Sequence, residues 1–327
     1  MPVPAAAYPG AMSATKKILL PDTTPLDPVL PDGWEAVTVD ARAAVPAEHH
    51  DARGLVVWGA SRRHLASAAA DLPDLRFIQS LAAGVEGILA AGFRDDVVIG
   101  TGAGLHSVTV PEHTLAMLLA LLRRIPESLA AQRERRWADE IGGIQPLRPD
   151  GQLTSLYGAR VLVWGFGDIG QHLAPLLTAL GADVQGVARS AGERAGFPVI
   201  AADDVRSVLP ETDILISILP GGPETEQAIG AEVLAALPAH ALVVNVGRGT
   251  VLDQAALRDA LEAGTISGAA LDVTDPEPLP TDDPLWSAPN LLITPHAAGG
   301  RPVGADARIE QNLARFEAGE TLINPAR

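Results

Sequence analysis

Short apolar runs alternate with longer amphipathic stretches from Lys17 onward, in two successive series. In the first series, the short runs predict buried strands and the periodic stretches between them predict helices. The predicted strands are residues 18–20, 36–39, 55–58, 77–81 and 97–99, and the predicted helices are residues 62–70 and 85–90. Repeated strand–helix units of this length indicate a parallel sheet with helices on both faces.

A second series of the same kind begins at Arg160. Its predicted strands are residues 161–164, 184–188, 214–218, 242–246, 269–271 and 291–293, and its predicted helices are residues 169–180, 254–263 and 304–318. The two series together predict an α/β protein with two doubly wound parallel-sheet domains.

Between the two series the pattern predicts one long helix, from Thr109 to about Trp137. We expect Thr109 to be its N-cap and Glu112, three residues on, to be the capping-box partner. Apolar positions cover more than one face, which fits a helix buried between domains or subunits. His106 and His113 flank its start, and without a third ligand they predict an ordinary loop histidine and helix histidine, not a metal site.

Composition narrows the classes of function. The 327 residues carry a formal net charge of −16, which argues against binding to nucleic acid or to anionic membranes. The absence of cysteine excludes disulfides, thiolate nucleophiles and cysteine-bound metals. Apolar stretches are too short or too broken to span a bilayer, so we expect a cytoplasmic protein. Residues 1–14, rich in alanine and proline, are predicted to be a disordered tail and not a secretory signal; the alternative is that translation starts at Met12.

The first strand of the second series leads into a glycine-rich turn. Gly165, Gly167 and Gly170 have the G-x-G-x-x-G spacing of a dinucleotide-binding turn. The first glycine permits the tight turn, the second lets the backbone approach a pyrophosphate, and the third lets helix pack on strand. A strand before the motif and a helix after it make the match specific. The intervening residues expected to contact the cofactor are Phe166, Asp168 and Ile169.

The end of the next strand indicates which cofactor is used. A dinucleotide fold that prefers NAD has an acid there for the adenosine ribose, but this chain has Ala188, followed by Arg189 and Ser190. An arginine and a hydroxyl would bind a 2′-phosphate through charge-assisted hydrogen bonds. We therefore expect NADP(H) to be favoured over NAD(H); the alternative is that Arg189 is an ordinary surface arginine.

Three polar residues lie at or beyond the carboxyl ends of predicted parallel strands, where open α/β sheets bind ligands. These residues are Arg248, Glu277 and His296. Hydride transfer to a 2-oxo acid needs an arginine that binds the carboxylate and polarises the ketone, and a histidine that donates a proton. A carboxylate beside the histidine keeps it protonated and oriented. The three residues supply this set, and a nicotinamide supplies the hydride.

Several motifs together resemble a known family. They are the glycine turn at 165–170, NVGRG at 245–249, LDV at 271–273, EPL at 277–279 and TPH at 294–296. Together they resemble the D-isomer-specific 2-hydroxyacid dehydrogenase family over nearly the whole chain from Lys17. The resemblance implies that Arg248, Glu277 and His296 are the catalytic set. Within the family, the chain resembles the glyoxylate/hydroxypyruvate reductases, particularly those that use NADPH.

The resemblance also implies further binding roles. Asp272 is expected beside the nicotinamide carboxamide. A loop at Ala83, Gly84 and Val85 is expected to give backbone amides to the substrate carboxylate. The other residues expected to line the cofactor are Leu219, Pro220, Thr225, Val246, Gly247 and Ala298.

The same resemblance implies the domain organisation. Residues 104–297 are expected to form a Rossmann dinucleotide-binding domain. Residues 15–103 and 298–327 are expected to form a smaller, discontinuous, flavodoxin-like substrate-binding domain. A homodimer is expected, paired through the dinucleotide domain and the long helix.

Other functions stay open at this point. The same fold could serve as a nicotinamide-binding sensor or corepressor, although a sensor need not keep an acid–base pair. A formate dehydrogenase would need no proton relay, so the pairing of Glu277 with His296 counts against that substrate. Phosphite as substrate is compatible with the same motifs.

Overall fold

A computed structural model describes residues 15–326, apart from the side chain at position 150, so the predicted tail at 1–14 lies outside the described residues. The described chain divides into two compact units. The first unit runs to Leu105 and resumes at Pro302, and the second spans His106–Arg301. The functional roles that the sequence assigns to these units stay predictions. No helix within residues 15–326 is long and apolar enough to cross a membrane.

The elements of the first unit before Leu105 follow the predicted strand–helix alternation. They are β1 (Lys16–Pro21), β2 (Trp34–Val39), β3 (Gly54–Val57), α1 (Arg62–Asp71), β4 (Phe77–Ser80), α2 (Glu86–Leu89) and β5 (Val98–Gly100).

The second unit begins with two helices and continues with strand–helix units, and the last helix of the chain belongs to the first unit. The elements are α3 (Thr109–Leu122), α4 (Ile125–Arg133), β6 (Arg160–Trp164), α5 (Asp168–Ala179), β7 (Asp183–Ala188), β8 (Gly192–Arg194), β9 (Phe197–Ala201), β10 (Ile214–Ser217), α6 (Ala231–Ala236), β11 (Leu242–Asn245), α7 (Gln254–Glu262), β12 (Gly268–Leu271), β13 (Leu291–Ile293) and α8 (Ala305–Glu317).

The first unit contains a parallel sheet of order β2-β1-β3-β4-β5. Its strands are buried on both faces, as in sheets that helices cover on each side. On one face, α8 packs Ile309 and Leu313 against Ile18 and Phe77 of the sheet. Asn312, fully buried on the same helix, donates a hydrogen bond of 2.7 Å to Gln79 Oε1. The chain's C-terminal helix thus completes the core of its first unit.

The second unit contains a sheet of order β13-β12-β11-β10-β6-β7-β9-β8. All pairs are parallel except β8 with β9. The chain moves outward from β6 in one direction and then resumes at β10 on the other side, so the order reverses between these two strands. This reversal is the crevice at which doubly wound sheets bind ligands. The two parallel sheets confirm the predicted α/β class.

The predicted single helix over residues 109–137 is wrong. Helix α3 ends at Leu122, Arg124 adopts a left-handed conformation with φ of 51°, and α4 then begins at Ile125. Pro126 explains the break, because its ring displaces the carbonyl one turn earlier and it has no N–H to donate. Proline is tolerated in the first turn of a new helix, where it stands here.

The predicted N-cap at Thr109 is also wrong. The residue before it, Val108, already has helical dihedral angles, so Thr109 lies inside the helix and its side chain caps nothing. Its buried hydroxyl has no hydrogen-bond partner among the described residues. The capping-box pattern with Glu112 therefore occurs here without the capping geometry.

A hairpin that the sequence analysis did not predict lies at the β7 edge of the second sheet. Strands β8 and β9 are joined by Ala195 and Gly196, which have φ of 52° and 82°. Positive φ at both residues matches the twist of paired antiparallel strands. Alanine rarely adopts this conformation, so the sequence lacks the Asn-Gly signal that marks such turns. The turn places Arg194 close to the glycine-rich loop.

Candidate functional site

The candidate site is built on loops that follow the carboxyl ends of β6, β10, β11, β12 and β13 in the second unit. Parallel pairing brings these ends to one edge of the sheet. The loops after β6, β10, β11 and β12 approach each other backbone to backbone in succession, which only glycine permits at the points of contact.

The glycine turn after β6 has the geometry that a dinucleotide needs. Gly165 has φ of 102°, and a Cβ there would lie 2.6 Å from the Ile218 carbonyl oxygen, so a side chain is excluded. At Gly167 the opposite holds, because apart from its immediate neighbours in the chain no atom of the described residues lies within 4 Å of the place for a Cβ. Helix α5 begins at the next residue, Asp168, with its first amides facing this space. The turn therefore fits a bound pyrophosphate.

The side chains of this turn face different ways. Phe166 is buried, and its ring lies 6.1 Å from that of Phe197, so only its backbone is accessible to a cofactor. Asp168 accepts a hydrogen bond from the Ser107 hydroxyl. Ile169 is partly buried against the core on this face of the sheet.

At the ribose end of the site, β7 ends at Ala188 and is followed by exposed Arg189 and Ser190. Arg194, which sequence analysis missed, joins them from the hairpin. Its Nη2 donates to Ser190 Oγ at 3.2 Å, and its Nη1 donates to the Phe166 carbonyl at 3.2 Å. Two guanidinium groups therefore stand on the segments that flank the expected ribose, and no acid takes the usual place.

The loop after β10 is closed by its own side chains. Thr225 Oγ1 donates to the Pro220 carbonyl at 2.7 Å, while Leu219 is nearly buried beneath the loop. A Cβ at Gly247 would lie 2.4 Å from the Leu219 carbonyl oxygen, so this loop and the loop after β11 touch. Val246, the residue before Gly247, is also buried.

Arg248 lies in the loop after β11, which a buried asparagine braces. Asn245 Nδ2 donates to the Arg248 carbonyl at 2.9 Å, and Asn245 Oδ1 accepts from the Gly247 amide at 3.1 Å. The Arg248 guanidinium makes one short contact, from Nη1 to the Gly247 carbonyl at 2.9 Å. A bidentate group positioned by a rigid loop suits recognition of a carboxylate.

The Arg248 loop is locked to the loop that carries Glu277. A Cβ at Gly249 would lie 2.0 Å from the Thr274 carbonyl oxygen, so any side chain there would push the two loops apart. The Thr274 amide then donates to Glu277 Oε1 at 3.2 Å. The side chain of Gln254 binds the backbone of the same loop twice. Its Nε2 donates to the Asp275 carbonyl at 2.6 Å, and its Oε1 accepts from the Asp275 backbone amide at 3.0 Å.

Glu277 and His296 form a direct pair. The distance from His296 Nδ1 to Glu277 Oε2 is 2.8 Å, and the two side chains are 47% and 39% exposed. An ionised carboxylate can only accept, so Nδ1 carries the hydrogen and Nε2 faces away, available to a substrate. This is the arrangement of a histidine that a carboxylate orients for proton transfer.

His296 stands in a turn that Asp272 organises. The backbone of His296 has φ of 50°, and its amide donates to the Asp272 carbonyl at 2.8 Å. The Asp272 carboxylate, 1% exposed, accepts the amides of Ala297 at 2.8 Å and Ala298 at 3.0 Å. The position expected beside the nicotinamide thus also fixes the backbone on both sides of the histidine.

The remaining predicted residues lie in the first unit. Ala83, Gly84 and Val85 follow the carboxyl end of β4 and precede α2. Their loop is braced at its start, where the Ser80 hydroxyl accepts the Ala82 amide at 3.1 Å. The substrate role that the resemblance implies for this loop stays a prediction.

Comparison with known proteins decides the family. Residues 115–298 match the family model of the D-isomer specific 2-hydroxyacid dehydrogenase NAD binding domain. The chain belongs to this family. It is therefore an NAD(P)-dependent oxidoreductase of the D-2-hydroxyacid dehydrogenases, with a nicotinamide-binding domain of Rossmann type and a small 2-hydroxyacid as its class of substrate.

The dehydrogenase is similar to several characterised and solved relatives. A glyoxylate/hydroxypyruvate reductase A from Serratia proteamaculans is 31% identical, over 86% of this chain and 88% of its own. A family protein from Aeromonas salmonicida has a TM-score of 0.81 at 29% identity, covering 96% and 99% of the two chains. An NADPH-dependent glyoxylate/hydroxypyruvate reductase from Sinorhizobium meliloti, solved with NADP and sulfate, has a TM-score of 0.76 at 26% identity, covering 95% and 98%. The chain spans about half the length of the D-3-phosphoglycerate dehydrogenases that it also matches.

Substitutions at Gly167 and Gly165 of the turn should have different effects on cofactor binding and on stability. Gly167→Ala should leave the midpoint of thermal unfolding nearly unchanged, since the space is open, but should weaken NADPH binding measured by nicotinamide fluorescence. Gly165→Ala should lower the unfolding midpoint, because the methyl group meets the Ile218 carbonyl. Unchanged NADPH binding by Gly167→Ala would contradict a pyrophosphate in this space.

Proposed function

We propose that this dehydrogenase is a glyoxylate/hydroxypyruvate-type reductase that uses NADPH to reduce a small 2-oxo acid. The proposal rests on the pair of His296 and Glu277, whose Nδ1 and Oε2 atoms are 2.8 Å apart, because the loop of Glu277 is in close backbone contact with that of Arg248. The arrangement joins a carboxylate-binding group to a proton donor, as reduction of a 2-oxo acid requires.

In the proposed reaction, the turn at Gly165, Gly167 and Gly170 would hold NADPH, which when bound would supply the hydride that reduces the carbonyl carbon. Arg248 binds the substrate carboxylate and polarises the ketone. His296 Nε2 donates its proton to the carbonyl oxygen as negative charge develops there, which completes the hydroxyl group. The Glu277 carboxylate stabilises the imidazolium before this step and keeps the ring oriented through Nδ1. Reversal of the same transfers oxidises the 2-hydroxy acid.

NADPH is proposed as the preferred cofactor because of the residues after β7. Ala188 offers no carboxylate for a ribose hydroxyl and none to repel a 2′-phosphate. Arg189 and Ser190 would bind the phosphate, and Arg194 adds a second cation within hydrogen-bond distance of Ser190. The NADP bound in the related Sinorhizobium meliloti reductase supports this assignment.

We also propose that the dehydrogenase is a homodimer, paired through α3, α4 and the segment after them. Trp137 is 86% exposed and Ile144 is fully exposed. Ile125, Leu129 and Leu147 add further exposed apolar surface along the same stretch of chain. Large exposed apolar side chains concentrated in one stretch of chain are typical of interaction surfaces.

The acid–base assignment predicts the behaviour of His296→Asn. Turnover with glyoxylate or hydroxypyruvate should fall by about 10²–10⁴-fold, the usual contribution of a general acid, with NADPH affinity nearly unchanged. Glu277→Gln should show a smaller loss in the same direction. The exposed carboxylate change Glu232→Gln serves as the matched control and should alter neither quantity. Wild-type turnover in His296→Asn would refute the assignment.

The cofactor assignment predicts that Arg189→Ala and Arg194→Ala lower kcat/KM for NADPH and spare that for NADH. Each loss should be about tenfold or more, because a hydrogen bond to a charged group contributes about 1.5–3 kcal/mol. The control is Arg206→Ala, an arginine that is 72% exposed and pairs with Glu232 in the same unit. If neither variant shifts the NADPH/NADH ratio, the proposed phosphate site is wrong.

The dimer proposal is tested by light scattering of the full chain after size exclusion. The wild type should have twice the 33.9 kDa chain mass, and Trp137→Asp should shift it toward one chain mass. Val29→Asp, at a residue 77% exposed in the first unit, should leave the dimer intact. A monomeric wild type would contradict the proposal.

A further inference from the structure

A second histidine reaches the loop that carries His296, and it comes from a different element. His113, in the second turn of α3, has its Nε2 3.0 Å from Thr294 Oγ1 and 3.2 Å from Asp272 Oδ1. Sequence spacing indicated only an ordinary helix histidine. Its contacts place it at the base of the catalytic turn instead.

The polarity of these contacts follows from the donors available. Thr294 Oγ1 donates its hydrogen to Asp272 Oδ1 at 2.6 Å. The lone pairs of Thr294 Oγ1 can therefore accept a hydrogen bond from His113. The Thr294 hydrogen is directed at Asp272, and an ionised carboxylate cannot donate, so the hydrogen in the contacts of His113 with these two residues lies on His113 Nε2. The side chain of His113 is 23% exposed and that of Asp272 is 1% exposed. His113 is thus more exposed than the buried carboxylate that it contacts.

The hydrogen-bond cluster of His113, Thr294 and Asp272 satisfies a charge that would otherwise be costly to bury. Asp272 accepts from the Thr294 hydroxyl, from the amides of Ala297 and Ala298, and from His113. A buried carboxylate is tolerated when donors of this kind surround it. Removing one donor leaves lone pairs unsatisfied and loosens the remaining geometry.

The backbone that the cluster fixes is a strained one. His296 has φ of 50°, a conformation that is energetically unfavourable for a residue other than glycine. Such a conformation persists only where its surroundings impose it. The two amides bonded to Asp272 are those of Ala297 and Ala298, directly after His296, and Thr294 lies two residues before it. The cluster therefore brackets the strained residue.

We propose that His113 is a positioning residue for His296, acting through Thr294 and Asp272. The proposal rests on the acid–base role proposed for His296. By bonding to Thr294 and Asp272 together, His113 ties helix α3 to the turn and fixes the direction in which the His296 ring leaves the backbone. Glu277 then fixes the rotation of that ring through Nδ1. Two independent contacts, one on the backbone and one on the ring, aim Nε2.

Two pairs of variants test this in the full-length enzyme. His113→Phe removes the donor and His113→Gln replaces it, while Thr294→Val removes the hydroxyl and Thr294→Ser keeps it. Glu112→Gln, at the exposed neighbouring position on α3, is the control. The measurements are kcat and KM with NADPH and hydroxypyruvate, the solvent deuterium isotope effect on kcat, and the crystal structure of His113→Phe.

His113→Phe and Thr294→Val should lower kcat by about 10- to 100-fold, the effect of misplacing a reacting group by about 1 Å, with KM for NADPH little changed. The solvent isotope effect should rise, because proton donation from a misaligned His296 becomes slower relative to hydride transfer. His113→Gln and Thr294→Ser should recover most of the loss. In the His113→Phe crystal structure, the φ of His296 should relax from the left-handed region.

The outcomes separate this inference from the proposed function. If His296→Asn abolishes turnover while His113→Phe keeps wild-type kcat, isotope effect and His296 backbone, the positioning role is wrong and the acid–base role stands. If His296→Asn itself keeps turnover, the proposed function fails, and the crystal structure of His113→Phe still tests the backbone contact. Equal losses in His113→Phe and His113→Gln would also overturn the inference, because they would indicate packing and not hydrogen bonding.

Discussion

The need to satisfy the buried carboxylate of Asp272 shapes the candidate site. A charge that is 1% exposed must be surrounded by donors, and two of those donors are amides of the turn that carries His296. The strand order places β12 and β13 side by side, so Asp272 and Thr294 end neighbouring strands and can meet. The fold thus brings the residues together, and the carboxylate then determines the conformation of the turn.

Close backbone contacts also fix the positions of the other loops of the site. Gly165 meets the loop after β10, and Gly249 meets Thr274, so displacing one loop displaces its neighbour. Such contacts explain how Arg248 and Glu277, which leave different strands, keep a fixed relation without a direct bond between them. The protein is strongly acidic overall, yet its proposed ligands are anions. Local arginines and amides suffice, because diffuse charge is screened beyond about 8–10 Å.

Much of the fold and of the site could be predicted from the sequence, and the features that were missed have identifiable physical causes. Strand positions were predictable because buried parallel strands are continuous apolar runs. The positions of Arg248, Glu277 and His296 after such strands were predictable for the same reason, while their catalytic roles stay predictions. The break at Arg124 was missed, although Pro126 was a visible signal. Arg194 was missed because its turn uses alanine at positive φ. His113 lies 159 positions from Asp272, and no local pattern encodes a contact over that separation.

This dehydrogenase is proposed to reduce a short 2-oxo acid with NADPH. The most direct test is the loss of near-ultraviolet absorbance of the reduced nicotinamide, with NADPH and NADH in parallel, against glyoxylate, hydroxypyruvate, pyruvate and phenylpyruvate. The account predicts oxidation of NADPH with glyoxylate or hydroxypyruvate and slower oxidation of NADH. Tight NADPH binding without oxidation by any of the four acids would contradict it and favour a nicotinamide sensor.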